Sequence, residues 1–300
     1  MVLCTYIFLF WGEFMNEIVK YNNHMNLLKF DSFTSMEFNM FFALCSIMKE
    51  QQSTVITLSF EEIRKLTNYK PSAKKRLIDD IKSMNQKLQN MNSLIEMDGV
   101  TLMLVLFPTF KLDEVNQELT VRVNPDFIFL LNDLTSNFTL FELREFVNLK
   151  SKYSKTLYRL LKQWRSTGKY EVTDVGNFHH LIGAPDSYNN WKVYQRCIEP
   201  AVTELTHINS FKELSISVTR RGDKGNIQGY VFTFPCEPKT IVESKSLTAS
   251  AMAYSISKDG THKTPHTKNN FLNFEQRIYD DETLERIFSQ NASPIPRINK

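Results

Sequence analysis

The segment KSKYSKTLYRLLKQWR, Lys150–Arg165, carries six basic side chains and no acidic one. At helical spacing Lys152, Lys155, Arg159 and Lys162 share one face, while Leu157, Leu160, Leu161 and Trp164 share the other. Such a charged face is ordinarily just solvated. This one lacks acidic neighbours and repels itself unless an anion covers it, so phosphate contact is the sharper expectation. A second candidate is YNNWKVYQR, Tyr188–Arg196. Opposite the apolar positions Tyr194 and Ile198 it offers Lys192, Gln195, Arg196 and Glu199. Arg can bond guanine O6 and N7, and Gln adenine N6 and N7, each through two hydrogen bonds. An ordinary polar surface helix is the alternative. In RRGDKGN, Arg220–Asn226, the cations Arg220, Arg221 and Lys224 sit at a hairpin tip, where they can enter a minor groove or grip phosphate. A weaker cluster, Lys70, Lys74, Lys75 and Arg76, lies where a helix begins, with Ser72 as its expected cap. Free N–H groups there suit phosphate, but Asp79 and Asp80 confine the patch and leave a surface fit for protein contacts.

Enzyme chemistry finds little support. There is no G-x-x-x-x-G-K-[ST], and GDKG in the hairpin lacks the spacing and the following Ser or Thr. Neither G-x-S-x-G nor H-E-x-x-H occurs. A nicking initiator needs a metal-binding His pair separated by one apolar residue, plus a nucleophilic Tyr. Here His179 and His180 are adjacent, and at least one is expected to pack beside Phe178 and Leu181. Cys4, Cys45, Cys197 and Cys236 are too far apart for a C-x-x-C site and read as reduced thiols of a cytosolic protein. We therefore expect neither catalysis nor a metal or cofactor.

The elements that must position these residues follow from composition and period. The 300 residues are 42% hydrophobic and 23% charged, which suits about two packed domains rather than disorder. The net charge of +3 is unevenly spread: residues 138–235 hold 14 basic and 9 acidic side chains, residues 15–137 hold 13 and 15. An anionic partner is sought first in the later block. Both blocks carry one pattern of apolar positions. Phe41, Leu44, Cys45 and Met48 correspond to Leu157, Leu160, Leu161 and Trp164; Phe60, Ile63 and Leu66 to Val175, Phe178 and Leu181. Leu77, Ile81, Met84 and Leu88 correspond to Tyr194, Ile198, Ala201 and Leu205. Ser59 with Glu62 fits a capping box; Thr173, and Asn189 or Asn190, are the expected caps in the second block. After each third helix the period turns strand-like, with Asp98-Gly99 as a hairpin signal. Helix-turn-helix plus β-hairpin is a winged helix, so the fold class is α+β with two tandem winged-helix domains, residues 15–137 and 138–235. Pro200 falls inside the last recognition helix, where a kink is expected.

The ends read differently. VLCTYIFLFW, Val2–Trp11, is too short for a membrane span of ~18 apolar residues and lacks signal-peptide flanks. An extra strand, a weak membrane contact or an over-extended start are the readings; Met15 is the favoured start, with residues 1–14 a non-structural extension. Residues 236–300 read as a mostly disordered tail with a short amphipathic helix near 280–289, either a docking element or a frayed end.

DLTSNFTLFELREFVNLKSKYSKTLYRLLKQWRSTGK, Asp133–Lys169, resembles iteron-binding, theta-type plasmid replication initiators of the RepA/RepB/RepE group. SFEEIRKLTNYK (Ser59–Lys70), VNPDFIFLLNDL (Val123–Leu134) and the Arg196, Pro200, Ala201 core carry the same resemblance, which spans about Asn16 to Phe234. It implies tandem winged helices on repeated DNA sites in a plasmid origin, with a host initiator protein and replicative helicase as partners. It further implies monomers that open the origin and dimers that repress their own promoter. Phosphate contact is carried over to Lys150–Lys155, with Lys150, Lys152, Tyr153 and Lys155, base reading to the Lys192–Arg196 helix, with Lys192, Gln195 and Arg196, and dimerisation to the first domain; Arg159 and Asn190 are expected among the DNA-binding residues as well. Residues 1–14 have no counterpart, and the tail is variable, although its FEQRIYDDETLERIF resembles a terminal segment of some Gram-positive members. A winged-helix repressor without initiator role is the nearest alternative; a nicking enzyme is the remote one.

Overall fold

A computed structural model describes residues 18–237, apart from 31, 50–53, 71–72, 91–92, 98–99, 129, 133, 135–136 and 221–225. The expectations for residues 1–14 and for the tail beyond Glu237 lie outside these residues; Glu237 itself, expected in a disordered tail, is held by Lys162 and by a bond from its N–H to the Arg165 carbonyl. Strand β1 (Ile18–Asn22) comes first, followed by a 3-10 turn (Asn23–Leu27). The first winged helix is then α1 (Ser35–Met48), β2 (Val55–Ser59), α2 (Phe60–Thr67) and α3 (Lys74–Asn90). A hairpin, β3 (Ser93–Met97) and β4 (Val100–Leu104), precedes the wing strands β5 (Thr109–Asp113) and β6 (Glu118–Arg122). The short α4 (Pro125–Ile128), β7 (Phe138–Glu142) and α5 (Leu143–Asn148) lead into the second. That comprises α6 (Lys152–Gln163), β8 (Lys169–Val172), α7 (Val175–Leu181) and a long helix α8, built of Asn190–Val193, Tyr194–Ile198 and Glu199–Leu205. Its wing strands are β9 (Ser215–Arg220) and β10 (Ile227–Thr233).

The two three-stranded sheets share one order, β2-β6-β5 and β8-β10-β9, so the repeated apolar pattern corresponds to a repeated topology. Phe41, Leu44, Met48, Phe60, Ile63, Leu77, Ile81, Met84 and Leu88 are buried, as are Leu157, Leu160, Leu161, Val175, Phe178, Ile198, Ala201 and Leu205. The Ser59–Glu62 capping box is present, and Met97 pairs with Val100; Asp98 and Gly99 themselves lie outside the described residues. One local expectation changes. Asp174, not Thr173, caps α7 through a bond from the Asn177 N–H, its carboxylate being the stronger acceptor. Pro200 is accommodated by a π turn over Tyr194–Ile198, in which the Glu199 N–H donates to the Tyr194 carbonyl five residues back. A turn that skips a residue needs no bond from the missing proline N–H.

The two halves share an interior. β1 pairs antiparallel with β7, Ile18 opposite Glu142 and Asn22 opposite Phe138, which ties residue 18 across the expected 137/138 boundary. Tyr21, Phe42, Phe141, Phe146 and Tyr158 form a continuous aromatic cluster. Every residue of α6 from Ser154 to Lys162 is buried. Arg159, fully buried, donates to the carbonyls of Met25 (3.0 Å) and Leu28 (3.2 Å) and to Asn26 Oδ1 (3.3 Å), with its guanidinium over the Phe30 ring. Asn26 in turn accepts from the Tyr21 hydroxyl and donates to Thr139 Oγ1 and Gln163 Oε1. Removing Arg159 strips several buried acceptors of their donor, each worth roughly 1–3 kcal/mol. Arg159→Ala is expected to lower unfolding free energy by about 3 kcal/mol or more in a denaturant titration; a change below about 1 kcal/mol would contradict the assigned bonding.

Candidate nucleic-acid interface

Helix α8 begins at Asn189, whose side chain caps it by accepting the Lys192 N–H (2.8 Å). Its neighbour Asn190 instead donates to the Ile227 carbonyl of β10 (3.1 Å). Val193, Cys197, Ile198, Ala201, Val202 and Leu205 face the core. Trp191, Lys192, Gln195, Arg196 and Glu199 face outward. This is the arrangement a groove-reading helix needs, with long polar side chains exposed on one face.

Aromatic and cationic groups organise its first turns. Tyr230, buried in β10, stacks under Tyr194, and Tyr194 stacks with Trp191. The guanidinium of Arg220, at the end of β9, lies over the Trp191 ring at 4.9 Å, and the Lys192 ammonium lies over Tyr188 at 4.1 Å. His179 Nε2 is bonded to the Tyr230 hydroxyl (2.9 Å); burial, helped by His180, pulls its pKa down to about 4. Helix and wing are thus coupled before any ligand arrives. Arg221 and Lys224 lie outside the described residues.

The basic face of α6 is corrected. Lys155 and Arg159 are inaccessible, and Lys162 nearly so. Lys155 donates to the Phe146 carbonyl (2.6 Å), and Lys162 to Ser210 Oγ and Glu237 Oε1 (both 2.9 Å). The anion that this face needed is supplied from within, by main-chain carbonyls and by Glu237. The helix start is likewise occupied: Glu204 of α8 accepts from the N–H groups of Lys150 (2.7 Å) and Ser151 (3.4 Å) and from the Ser154 hydroxyl. Lys150 remains exposed, while Lys152 and Tyr153 are half-buried, with Lys152 donating to the Gly183 carbonyl. Glu204 and Trp191 are the two residues that sequence reasoning missed. Trp191 carried a signal, an aromatic on the polar face of a recognition helix; Glu204 carried none, because its partners lie some fifty residues away.

In the first winged helix Lys70, Lys74, Lys75 and Arg76 are exposed around the start of α3; Ser72 lies outside the described residues. Lys74 donates to the Glu114 carbonyl and Lys82 pairs with the Glu114 carboxylate (2.8 Å). The wing turn there bears Asp113 and Glu114, charges that repel phosphate. Among the described residues no group of His, Cys, Asp and Glu could hold a metal ion, and no helix is long and apolar enough to cross a membrane.

Comparison with known proteins decides the family. Residues 18–162 match the family model described as "Initiator Replication protein, WH1", and residues 174–234 match "Initiator Rep protein, WH2". The chain belongs to the initiator replication protein family. A curated relative, "Probable replication protein rep" of Bifidobacterium longum, is 36% identical over 239 residues, covering 78% of each chain. A solved Pi initiator protein in complex with iteron DNA shares the fold, with a TM-score of 0.58 at 14% identity; the match covers 74% of this chain and 98% of that one. In this initiator α6 falls within the first matched segment, yet it packs as the first helix of the second winged helix, in contact with α8.

The buried Lys155 has a measurable consequence. Desolvation pulls its pKa down to about 7 from 10.5, with Glu204 opposing. The folded state therefore binds fewer protons than the unfolded chain between those values. Stability rises with pH through that window, and the gain is lost as pH falls through 7. Between pH 7 and 9, below tyrosine ionisation, the rise is on the order of 2 kcal/mol. Lys155→Met is expected to flatten it in parallel denaturant titrations; an unchanged slope would place the ammonium in solvent.

Proposed function

We propose that this protein initiates plasmid replication by binding direct repeats, or iterons, in the plasmid origin, with its second winged helix as the principal reader. The observation that carries this reading is the free face of α8, where Lys192, Gln195 and Arg196 stand exposed beside Arg220 of the wing strand. Those side chains match the hydrogen-bonding edges of guanine and adenine in the major groove. The fold shared with an initiator that was solved on iteron DNA supports the same reading. Lys150, Lys152, Lys75 and Arg76 serve as phosphate contacts at the margins, while Lys155 and Arg159 hold the interior that presents α8.

Bound monomers open the adjoining duplex and recruit a host initiator protein and replicative helicase; the free protein dimerises and represses its own promoter. The first half suits a protein interface: it carries net −2 over residues 15–137, and among the described residues β3 and β4 pair only with each other. Unpaired strand edges invite a second chain. The work of a cytoplasmic DNA-binding protein requires no catalytic group.

Duplexes carrying the direct repeats beside the gene, and scrambled duplexes of equal composition, provide the test by fluorescence anisotropy. The repeat is expected to bind more tightly, and Arg196→Ala to lose about 1–3 kcal/mol on it with relaxed preference at one or two base pairs. Equal affinity for repeat and scrambled DNA would defeat the reading; equal losses of Arg196→Ala on both would move Arg196 to a phosphate. Sedimentation of the full chain with a one-repeat duplex should show one protein per duplex, against a dimer without DNA.

A further inference from the structure

Trp191 is 45% exposed at the first turn of α8. Its indole is not loose. It stacks with Tyr194 at 5.4 Å between centroids, and Arg220 lies over it at 4.9 Å. Tyr194 itself rests on the buried Tyr230. A large apolar ring is thereby held in a fixed orientation beyond the protein surface, and ordering it on binding costs little further rotamer freedom. Its position along the helix is one turn before Gln195 and Arg196, on the outward side that carries both.

An indole has one hydrogen-bond donor and no acceptor, so it cannot make the paired hydrogen bonds of an Arg or Gln. The apolar feature of a major groove is the C5 methyl of thymine. Gln195 is suited to adenine, whose partner in the pair is thymine. We propose that Trp191 is a specificity-determining residue that packs on a thymine C5 methyl beside the bases met by Gln195 and Arg196, with Arg220 and Tyr194 as the groups that hold its ring. This rests on the reading of the protein as a binder of repeated duplex sites through α8.

The test removes the methyl from the DNA. Each thymine of the repeat is replaced in turn by uracil, and affinity is measured with the full-length protein and with Trp191→Ala. The wild type is expected to lose about fourfold at one or two adjacent positions, the worth of burying one methyl group. Trp191→Ala should bind the unmodified repeat more weakly and show no further loss with uracil at those positions. Trp191→Phe, which keeps an aromatic ring, should retain part of the uracil effect and guards against misfolding of the alanine variant. If no uracil position distinguishes wild type from Trp191→Ala while the repeat is still preferred over scrambled duplex, the proposal is overturned and the initiator reading stands. A Trp191→Ala loss confined to single-stranded oligonucleotides would overturn it too, assigning the ring to base stacking. Failure of the wild type to prefer the repeat would instead refute the initiator reading itself.

Discussion

Burying cations in a protein interior is costly unless acceptors surround them. Helix α6 buries three, Lys155, Arg159 and Lys162, and the architecture follows from where their acceptors lie. Arg159 takes the carbonyls of Met25 and Leu28, Lys155 that of Phe146, and Lys162 the Glu237 carboxylate. These acceptors sit on the turn after β1, at the end of α5 and beyond β10. A single helix thus gathers the N-terminal strand pair, the linker between the halves and the end of the second winged helix. Glu204 adds the recognition helix by binding the N–H groups at the start of α6.

That interior separates two uses of positive charge. The surplus of basic residues in 138–235 does not translate into an equally basic surface, because part of it is spent against carbonyls inside. Among the described residues Lys192, Arg196 and Arg220 lie exposed at α8 and the wing strand, while Arg144, Lys150, Lys169 and Lys212 are exposed elsewhere. The first winged helix shows the opposite balance, since its wing turn is acidic and engages Lys74 and Lys82. One topology, used twice, carries exposed cations on helix and wing strand in one copy and an acidic wing turn in the other.

Much of this was legible in the sequence because it is written in local spacing. Most of the apolar positions that repeat between the halves are core positions, although Trp164 is exposed and Leu66, Leu181 and Tyr194 are half-buried, and Ser59 with Glu62 is a cap wherever such a helix begins. The outward residues of α8 followed from the inward ones. The basic side of α6 was not legible, since a helix buried all round breaks the rule that charge marks the exposed side. Its partners were main-chain carbonyls, which leave no trace in residue type, and Ser210 and Glu237, remote along the chain. The same distance hid Glu204. Pro200 announced a disturbance but not its form, a π turn over Tyr194–Ile198.

The cations of α6 build the interior, and those of α8 are the ones we propose meet DNA. Amine-labelling mass spectrometry of the full chain, with and without repeat duplex, tests this division most directly. Lys155 and Lys162 should resist labelling in both states, although a lowered pKa makes the Lys155 amine the better nucleophile wherever reagent reaches it. Lys192 should label readily in the free protein and be protected by the duplex. Ready labelling of Lys155 that disappears on adding DNA, with Lys192 unaffected, would contradict the account.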